Sequence, residues 1–256
     1  MKTITTGIDM GSKNVKVVIL KDGKVLARGI TLSGFDQKEA AKKVFNEVLK
    51  KASLSLDDID QIVATGAGKE VAPYANSDIS MVGADAIGGS FLFPSARTII
   101  DVGAEEGRAA RCDEKGKMID FVINEKCAAG AGTFVEAMAR ALEVTLEEMG
   151  PLSLKAERAV PMNAQCTIFA ESEVVTLIHE KTSKADISRA IHDAIADRIT
   201  SMTRRLGIQR DVVLAGGVAK NIGFVNSLEK ALEVKLLIPK EPEFVGALGA
   251  ALAPLR

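Results

Sequence analysis

The chain has 256 residues, of which 33 are Lys or Arg and 34 are Asp or Glu, so its formal net charge is −1. This balance argues against a nucleic-acid partner or an anionic membrane surface, because their phosphates attract a basic face. Apolar residues make up 47% of the chain, enough for a core without disulfide bonds. No apolar run reaches the ~18 residues that a membrane span needs.

The cysteines and the N-terminal sequence favour a reducing compartment. Three widely spaced cysteines with no CxxC exclude a disulfide framework, and they exclude a zinc or iron–sulfur site built from the thiolates of one copy alone. The first nine residues lack the apolar stretch of a secretory signal peptide. We therefore expect a soluble, cytoplasmic protein of one or two domains.

Strand and helix patterns alternate along the chain, which predicts an α/β fold. In the N-terminal part of the chain, the pattern predicts strands at 3–9, 15–20, 24–30 and Gln61–Thr65. It also predicts a hairpin turn at Lys21-Asp22-Gly23-Lys24 and a helix over 37–52 that is capped by Asp36. Three further strands are predicted at 97–102, 107–112 and 117–123. The remainder predicts helices near 131–144, 171–180, 185–206, 220–233 and 244–253, with buried strands at 211–215 and 235–238.

One segment of the sequence is echoed later in the chain. Ile8-Asp9-Met10-Gly11 is matched by Ile100-Asp101-Val102-Gly103, 92 positions further on. Each follows an apolar strand and leads through a turn to a second strand, a hairpin and a third strand. Two matching units of three strands predict a duplicated architecture with two related halves.

An Asp-x-Gly turn after a strand is suited to binding a phosphate. Glycine lets backbone N–H groups approach an anion closely, and the aspartate can hold Mg²⁺ beside the phosphates. Two such turns would clamp a polyphosphate, whereas ordinary strand-end turns are the alternative interpretation. A third glycine element, Gly216-Gly217 before a predicted helix, leaves room for a nucleobase and its ribose, or is only a tight turn. P-loop and Rossmann signatures are absent from the sequence.

Two cysteines stand at the predicted starts of helices. Cys127 lies among small residues and Cys166 precedes Thr167-Ile168-Phe169-Ala170-Glu171-Ser172-Glu173. A helix N-terminus stabilises a thiolate or an anionic cluster, and two cysteines are half of the usual set for a 4Fe–4S cluster, so two chains would supply four. Taken alone, two such cysteines are more often part of the core packing than ligands of a cluster. Cys112 falls in a predicted strand and is expected to be buried.

Together these motifs resemble the ATPase core shared by actin, Hsp70 and sugar kinases. Within it, Lys126-Cys127-Ala128-Ala129-Gly130-x-Gly132 and Gln165-Cys166-Thr167-x-Phe169-Ala170-Glu171-Ser172-Glu173 are similar to one branch. That branch contains the iron–sulfur ATPases that activate 2-hydroxyacyl-CoA dehydratases and the ATPase subunits of benzoyl-CoA reductase. The resemblance covers nearly the whole chain and implies two actin-like halves, residues 1–95 with 245–256 and residues 96–244.

The resemblance also implies cofactors and partners. ATP or ADP with Mg²⁺ would bind the nucleotide motifs, and one 4Fe–4S cluster would bridge two subunits through Cys127 and Cys166 of each. The second subunit would be a copy of the chain or a sister ATPase. Ferredoxin would donate the electron, and the catalytic acyl-CoA reductase or dehydratase subunits would accept it.

The implied roles of individual residues follow the same resemblance. Asp9 and Asp101 would organise Mg²⁺ and its waters, and Glu105 would orient or deprotonate the attacking water, although it is equally a surface carboxylate. Backbone N–H groups would cradle the phosphates at Gly11, Ser12, Lys13, Gly103 and Ala104. The adenosine pocket would be lined by Gly216, Gly217 and Asn221.

Departures from the activator pattern favour the D-type subunit of benzoyl-CoA reductase as the principal interpretation. The activators usually carry Gly-Gly-Gln-Asp after the second aspartate, where this chain has Gly103-Ala104-Glu105-Glu106. They usually carry Ser-Thr in the first turn, where this chain has Ser12-Lys13. The alternatives are a homodimeric activator of a 2-hydroxyacyl-CoA dehydratase, a reductase of a double-cubane protein, a cluster-free kinase of the same superfamily, and a nucleotide-gated regulatory protein.

Overall fold

The computed structural model describes residues 3–124, 132–162 and 167–256. The chain divides into two compact units. The first unit comprises Met1–Ile99, Ala110–Ile119 and Pro239–Arg256, and the second unit comprises Ile100–Ala109 and Asp120–Ile238. The assignment of residues 1–95 with 245–256 and of 96–244 to two actin-like halves stays a proposal.

A five-stranded sheet organises the first unit. Its strands lie in the order β3-β2-β1-β4-β5, with β1 Ile4–Met10, β2 Asn14–Lys21, β3 Lys24–Leu32, β4 Gln61–Thr65 and β5 Ser77–Asp78. β1 pairs antiparallel with β2 and parallel with β4. The four predicted strands and the hairpin are confirmed, and Asp22 and Gly23 have the positive φ angles of 54° and 75° that a two-residue turn between twisted strands requires.

Three helices belong to the same unit as this sheet, and one of them approaches a strand closely at a glycine. The predicted helix α1 (Gln37–Ala52) is confirmed, and the Asp36 side chain accepts the Glu39 N–H at 3.0 Å. The unit also contains α2 (Met81–Leu92) and α8 (Val245–Leu252), and all eight residues of α8 are buried. A β-carbon on Gly7 would lie 1.9 Å from the Ala247 carbonyl oxygen, so α8 lies directly on β1.

The second sheet has the order β10-β9-β6-β7-β8, with β6 Thr98–Val102, β7 Gly107–Cys112, β8 Met118–Asn124, β9 Val212–Ala215 and β10 Leu236–Leu237. These five strands match the predicted ones within one or two residues. The second unit contains α3 (Gly132–Ala141), α4 (Leu146–Ser153), α5 (Thr167–His179), α6 (Lys184–Leu206) and α7 (Ile222–Leu232). Its core is formed by fully buried side chains such as Phe134, Met138, Ile195 and Phe224.

Some helix limits differ from the sequence prediction. α3 ends at Ala141 rather than 144, because Glu143 adopts a left-handed backbone with φ of 53°. α5 begins at Thr167, four residues before the predicted start. α2 and α4 were not predicted. In residues 3–124, 132–162 and 167–256, no helix is both long and apolar enough to cross a bilayer.

Candidate active site

The first Asp-x-Gly turn carries an aspartate that is paired with a lysine. Asp9 lies near the end of β1 and is 9% exposed. Lys16 lies opposite Asp9 on β2, and its Nζ donates to Asp9 Oδ2 at 2.8 Å. The lysine therefore neutralises a mostly buried carboxylate at the mouth of the turn.

Side chains from the same unit hold this turn in place. The Gly11 carbonyl accepts hydrogen bonds from Ser33 Oγ at 2.7 Å and from Gln37 Nε2 at 2.9 Å. Ser12 and Lys13, the other residues predicted to bind phosphate here, are exposed. The structure thus presents these two residues at the surface of a fixed turn.

The second turn repeats this arrangement in the second unit. Asp101 on β6 is 6% exposed, and Arg108 Nη2 on β7 lies 3.3 Å from its Oδ1. Arg108 Nη1 also bonds Glu106 Oε1 at 2.8 Å. Arg108 follows Asp101 by seven residues, as Lys16 follows Asp9, so each half of the sequence echo supplies a cation for its own aspartate.

A glycine with positive φ lies against each aspartate. Gly66 follows β4 with φ of 93°, and a β-carbon there would lie 2.6 Å from Asp9 Oδ1. Gly216 follows β9 with φ of 86°, and its β-carbon would lie 2.8 Å from Asp101 Oδ1. Any side chain at these positions would displace the carboxylate and would strain the backbone. Gly66, Lys16 and Arg108 were not predicted from the sequence, although Lys16 and Arg108 each follow their aspartate by the same seven residues.

We expect Gly66→Ala to destabilise the protein by on the order of 3 kcal/mol. The new methyl group would clash with Asp9, and the alanine would have to adopt a left-handed backbone conformation. Gly34→Ala is the matched control, since Gly34 has φ of 60° with nothing within 4 Å of its β-carbon position. It should cost only about 1 kcal/mol, the backbone part of the penalty. Urea unfolding measures both, and equal losses in the two variants would contradict the close approach to Asp9.

A second buried carboxylate lies near Asp9. Asp85 on α2 is 1% exposed. A β-carbon on Gly246, in the first turn of α8, would lie 3.4 Å from Asp85 Oδ1 and 3.8 Å from Asp9 Oδ2. Both carboxylates therefore border the same small space at the start of α8. Asp85 was not predicted from the sequence as a site residue, because α2 was not predicted.

The turn after Asp101 is joined to the start of α3. The Gly103 N–H donates to the Glu106 carbonyl at 2.9 Å, and the Gly103 carbonyl accepts the Gly132 N–H at 2.8 Å. The Ala104 carbonyl accepts from both the N–H and the Oγ1 of Thr133. The Gly103 N–H is thus used within the turn in this conformation, whereas the phosphate role predicted for it needs that group to be free. Glu105 is exposed.

The predicted adenosine residues lie between β9 and α7. Gly217 is exposed, and nothing lies within 4 Å of its β-carbon position. Asn221 is the N-cap of α7, where its Oδ1 accepts the N–H groups of Gly223 and Phe224 at 3.0 and 3.2 Å. Its Nδ2 lies 3.0 Å from His192 Nε2. The structure therefore shows Asn221 ordering the start of a helix, and its contact with adenosine stays a prediction.

The buried ring of His192 makes the stability of the protein depend on pH. Burial lowers the pKa of His192 from its ordinary value of 6.5 to about 4. Between these values the unfolded chain binds a proton that the folded chain does not, so stability falls as pH falls. From pH 7 to pH 5 we expect a loss of about 2 kcal/mol from this group. Urea titrations at both pH values should show the loss in the wild type and a smaller one in His192→Gln.

Each of the two turns supplies a carboxylate of the kind that holds a divalent cation, since carboxylate oxygens are the ligands that Mg²⁺ prefers. Only glycines, Gly66 and Gly216, lie directly against Asp9 and Asp101. Within the described ranges, no group of three or more metal-binding side chains comes together.

Cys127 and Cys166 lie outside the described residues. Cys112 is buried as predicted, and burial raises the pKa of its thiol.

Comparison with known proteins shows relatives that match nearly the whole chain. It is 40% identical over 248 residues to the activator of lactoyl-CoA dehydratase from Anaerotignum propionicum, covering 97% of this chain and 96% of that one. It is 33% identical to the D-type subunit of benzoyl-CoA reductase from Thauera aromatica, covering 98% and 92%. The comparison thus favours the activator alternative over the benzoyl-CoA reductase interpretation.

Solved structures confirm the fold. The activator of 2-hydroxyisocaproyl-CoA dehydratase from Clostridium difficile, determined with bound ADPNP, has a TM-score of 0.91 and 37% identity, covering 99% of this chain and 94% of that one. A ROK family glucokinase from Streptomyces griseus has a TM-score of 0.60 at 12% identity, covering 97% and 98%, which shows the shared fold alone. The predicted actin- and sugar-kinase-like architecture is therefore confirmed.

The family is shown by a match that spans almost the entire chain. The model described as the BadF/BadG/BcrA/BcrD ATPase family matches residues 6–253. This confirms the family resemblance that the motifs indicated, and it shows that the chain is a member of an ATPase family. With one Asp-x-Gly turn in each unit and relatives that match 97–98% of its length, the chain belongs to the BadF/BadG/BcrA/BcrD ATPase family.

Proposed function

We propose that this chain is an ATP-driven activator that passes electrons to a 2-hydroxyacyl-CoA dehydratase-type partner. The observation that carries the proposal is the 40% identity to a dehydratase activator over 97% of the chain, against 33% to a component of benzoyl-CoA reductase. In this proposal the working form is a homodimer. Ferredoxin supplies the electron, and one 4Fe–4S cluster bound by Cys127 and Cys166 of both copies carries it.

The two aspartate turns support the ATPase part of the proposal. Asp9 and Asp101 would hold Mg²⁺, which supplies positive charge beside the phosphates. Lys16 and Arg108 neutralise these aspartates at 2.8 and 3.3 Å, and they would remain as cations next to the bound nucleotide. The solved structure of a relative of 37% identity contains bound ADPNP, an analogue of ATP.

Glu105 is our candidate for the residue that positions the attacking water. Its neighbour Glu106 is held by Arg108 at 2.8 Å, which ties that carboxylate to the turn. Glu105 is exposed and lies two residues after Gly103. A carboxylate there would accept a proton from water if ATP brought its γ-phosphate close.

Moving an electron from ferredoxin to a cluster of lower potential requires free energy, which ATP hydrolysis would supply. Ferredoxin-type clusters have potentials near −400 mV, and clusters reach about −700 mV at the extreme. Moving one electron by ~0.3 V costs roughly 7 kcal/mol, which a passive carrier does not supply. Nucleotide hydrolysis is a source of that size, provided that the two states of the ATPase bind ATP differently.

The test is anaerobic reconstitution with defined partners. The purified chain, reduced ferredoxin and MgATP should activate a 2-hydroxyacyl-CoA dehydratase, and omitting ATP should abolish activation. Activity only with a sister ATPase and a benzoyl-CoA reductase would instead assign the chain to that enzyme. An iron-free protein that phosphorylates a small molecule would establish the kinase alternative and overturn the proposal.

A further inference from the structure

A buried histidine lies behind the segment that follows β9. His192 on α6 is fully buried, and its Nε2 lies 3.0 Å from Asn221 Nδ2. On the other side of the ring, a β-carbon on Gly223 would lie 2.6 Å from Nδ1. The ring is therefore packed against the first turn of α7, with one nitrogen directed at the residue that caps it.

The hydrogen bonds of Asn221 define the state of this ring. Asn221 Oδ1 already accepts two backbone N–H groups of α7, so the amide nitrogen is the end that faces His192. An amide nitrogen only donates, and Nε2 must therefore accept. His192 is consequently neutral with its proton on Nδ1, in agreement with the downward shift of its pKa.

This arrangement leaves a polar atom unsatisfied. Among the residues that the structure describes, His192 Nδ1 is buried without a hydrogen-bond partner. Leaving a buried donor unpaired costs free energy, whereas an apolar side chain at this position would avoid the cost. The polar interaction that His192 contributes is therefore the hydrogen bond between its Nε2 and Asn221.

Asn221 connects this bond to the glycine turn. Its backbone N–H donates to the Val218 carbonyl at 2.9 Å, and the Ala219 N–H donates to the Gly216 carbonyl at 3.2 Å. The short helix Gly217–Lys220 thus runs without interruption from Gly216 to Asn221. Rotation of the Asn221 amide would remove its two hydrogen bonds to the start of α7, directly where the short helix ends.

We infer that His192 is a positioning residue for the nucleotide site. By accepting from Asn221 it holds the Gly216–Asn221 segment in the conformation that receives the adenosine part of ATP. The inference rests on the proposed function, since it takes that segment to be the adenosine site. His192 itself touches neither substrate nor cofactor.

Two substitutions at His192 separate positioning from simple packing. His192→Gln retains an acceptor that can bond Asn221, whereas His192→Leu retains volume without an acceptor. Calorimetric titration of the full chain with MgADPNP should show about tenfold weaker binding in His192→Leu and less than threefold weakening in His192→Gln. Ser188→Ala is the control, because Ser188 lies one turn earlier on α6, is fully buried and has an unpartnered Oγ within the described residues. It should leave the affinity unchanged.

Asn221→Asp supplies a readout that a structural role alone would not move. Aspartate caps a helix as well as asparagine but cannot donate to Nε2. The ring should then take up a proton more readily, so NMR of ¹⁵N-labelled histidine should show a higher pKa and loss of the Nδ1–H tautomer. Combining Asn221→Asp with His192→Leu should weaken MgADPNP binding no further than the stronger single change.

The outcomes distinguish this inference from the proposed function. If the wild type binds MgADPNP but His192→Leu and His192→Gln bind as tightly as the wild type, or lose equal affinity, the positioning role is wrong and the proposed function stands. If the wild type does not bind MgADPNP at all, both fail together. Rescue by Gln with an altered tautomer in Asn221→Asp supports the inference.

Discussion

Replacing Cys127 by alanine is expected to remove the iron from the protein. The wild type, prepared without oxygen, should contain about four irons per dimer with absorption near 400 nm, and the variant should contain almost none, because a 4Fe–4S cluster needs all four thiolates. Cys166→Ala should give the same result. Iron quantitation and EPR spectroscopy measure the effect.

Cys112→Ala is the control for this experiment. Cys112 is buried on β7 with its Sγ 3.6 Å from the Ala96 carbonyl oxygen, so it packs within the first unit. Its replacement should cost about 1 kcal/mol of stability and leave the iron content unchanged. Iron that persists in both Cys127→Ala and Cys166→Ala would exclude the bridging cluster and with it the proposed electron transfer.

Asp101→Asn is expected to lower the rate of ATP hydrolysis by about 10²–10³-fold, since it removes a charge that organises Mg²⁺ beside the phosphates. The side chain keeps its size, so the turn and its glycine neighbour Gly216 keep their packing. Steady-state phosphate release with saturating MgATP measures the rate. Asp9→Asn should behave alike, because the first unit has the same arrangement of aspartate, glycine and basic residue.

Glu106→Gln tests whether the effect belongs to Asp101 or to the ion-pair network around it. Both carboxylates contact Arg108, at 2.8 Å for Glu106 and 3.3 Å for Asp101. We expect Glu106→Gln to change the hydrolysis rate by less than about threefold, because this carboxylate is tied to the turn and has no assigned chemistry. A loss as large as that of Asp101→Asn would show that Arg108, rather than Asp101, is the critical group.

Elements defined by short-range interactions were predicted closely. The hairpin at Asp22-Gly23 depends on two residues that tolerate positive φ, and α1 depends on a capping aspartate and one apolar face. In contrast, α2 was missed because its buried residues surround the helix, which leaves no periodic pattern. α4 was also missed, although the Thr145–Glu148 capping box that begins it is visible in the sequence.

In the candidate site, too, the features defined by local sequence were predicted, and those that depend on strand order were not. The echo of Asp9 and Asp101 was evident from the sequence, since a strand followed by Asp-x-Gly is a local pattern. The glycine that lies against each aspartate comes from a neighbouring strand, 57 positions after Asp9 in the first unit. Such pairing depends on the order of strands in the sheet, which local patterns do not specify.

The sequence by itself determined the family, the duplicated turns, the cysteine motifs and most of the secondary structure, because these are written in contiguous residues. Only the tertiary structure decided that Lys16 and Arg108 neutralise the two aspartates, that Asp85 lies near Asp9, and that His192 bonds Asn221. Each of these depends on side chains brought together by packing. His192 lies on α6, whereas Asn221, 29 residues later, caps α7. Burial then makes such contacts strong and specific, because a polar group removed from water must find its partner within the fold.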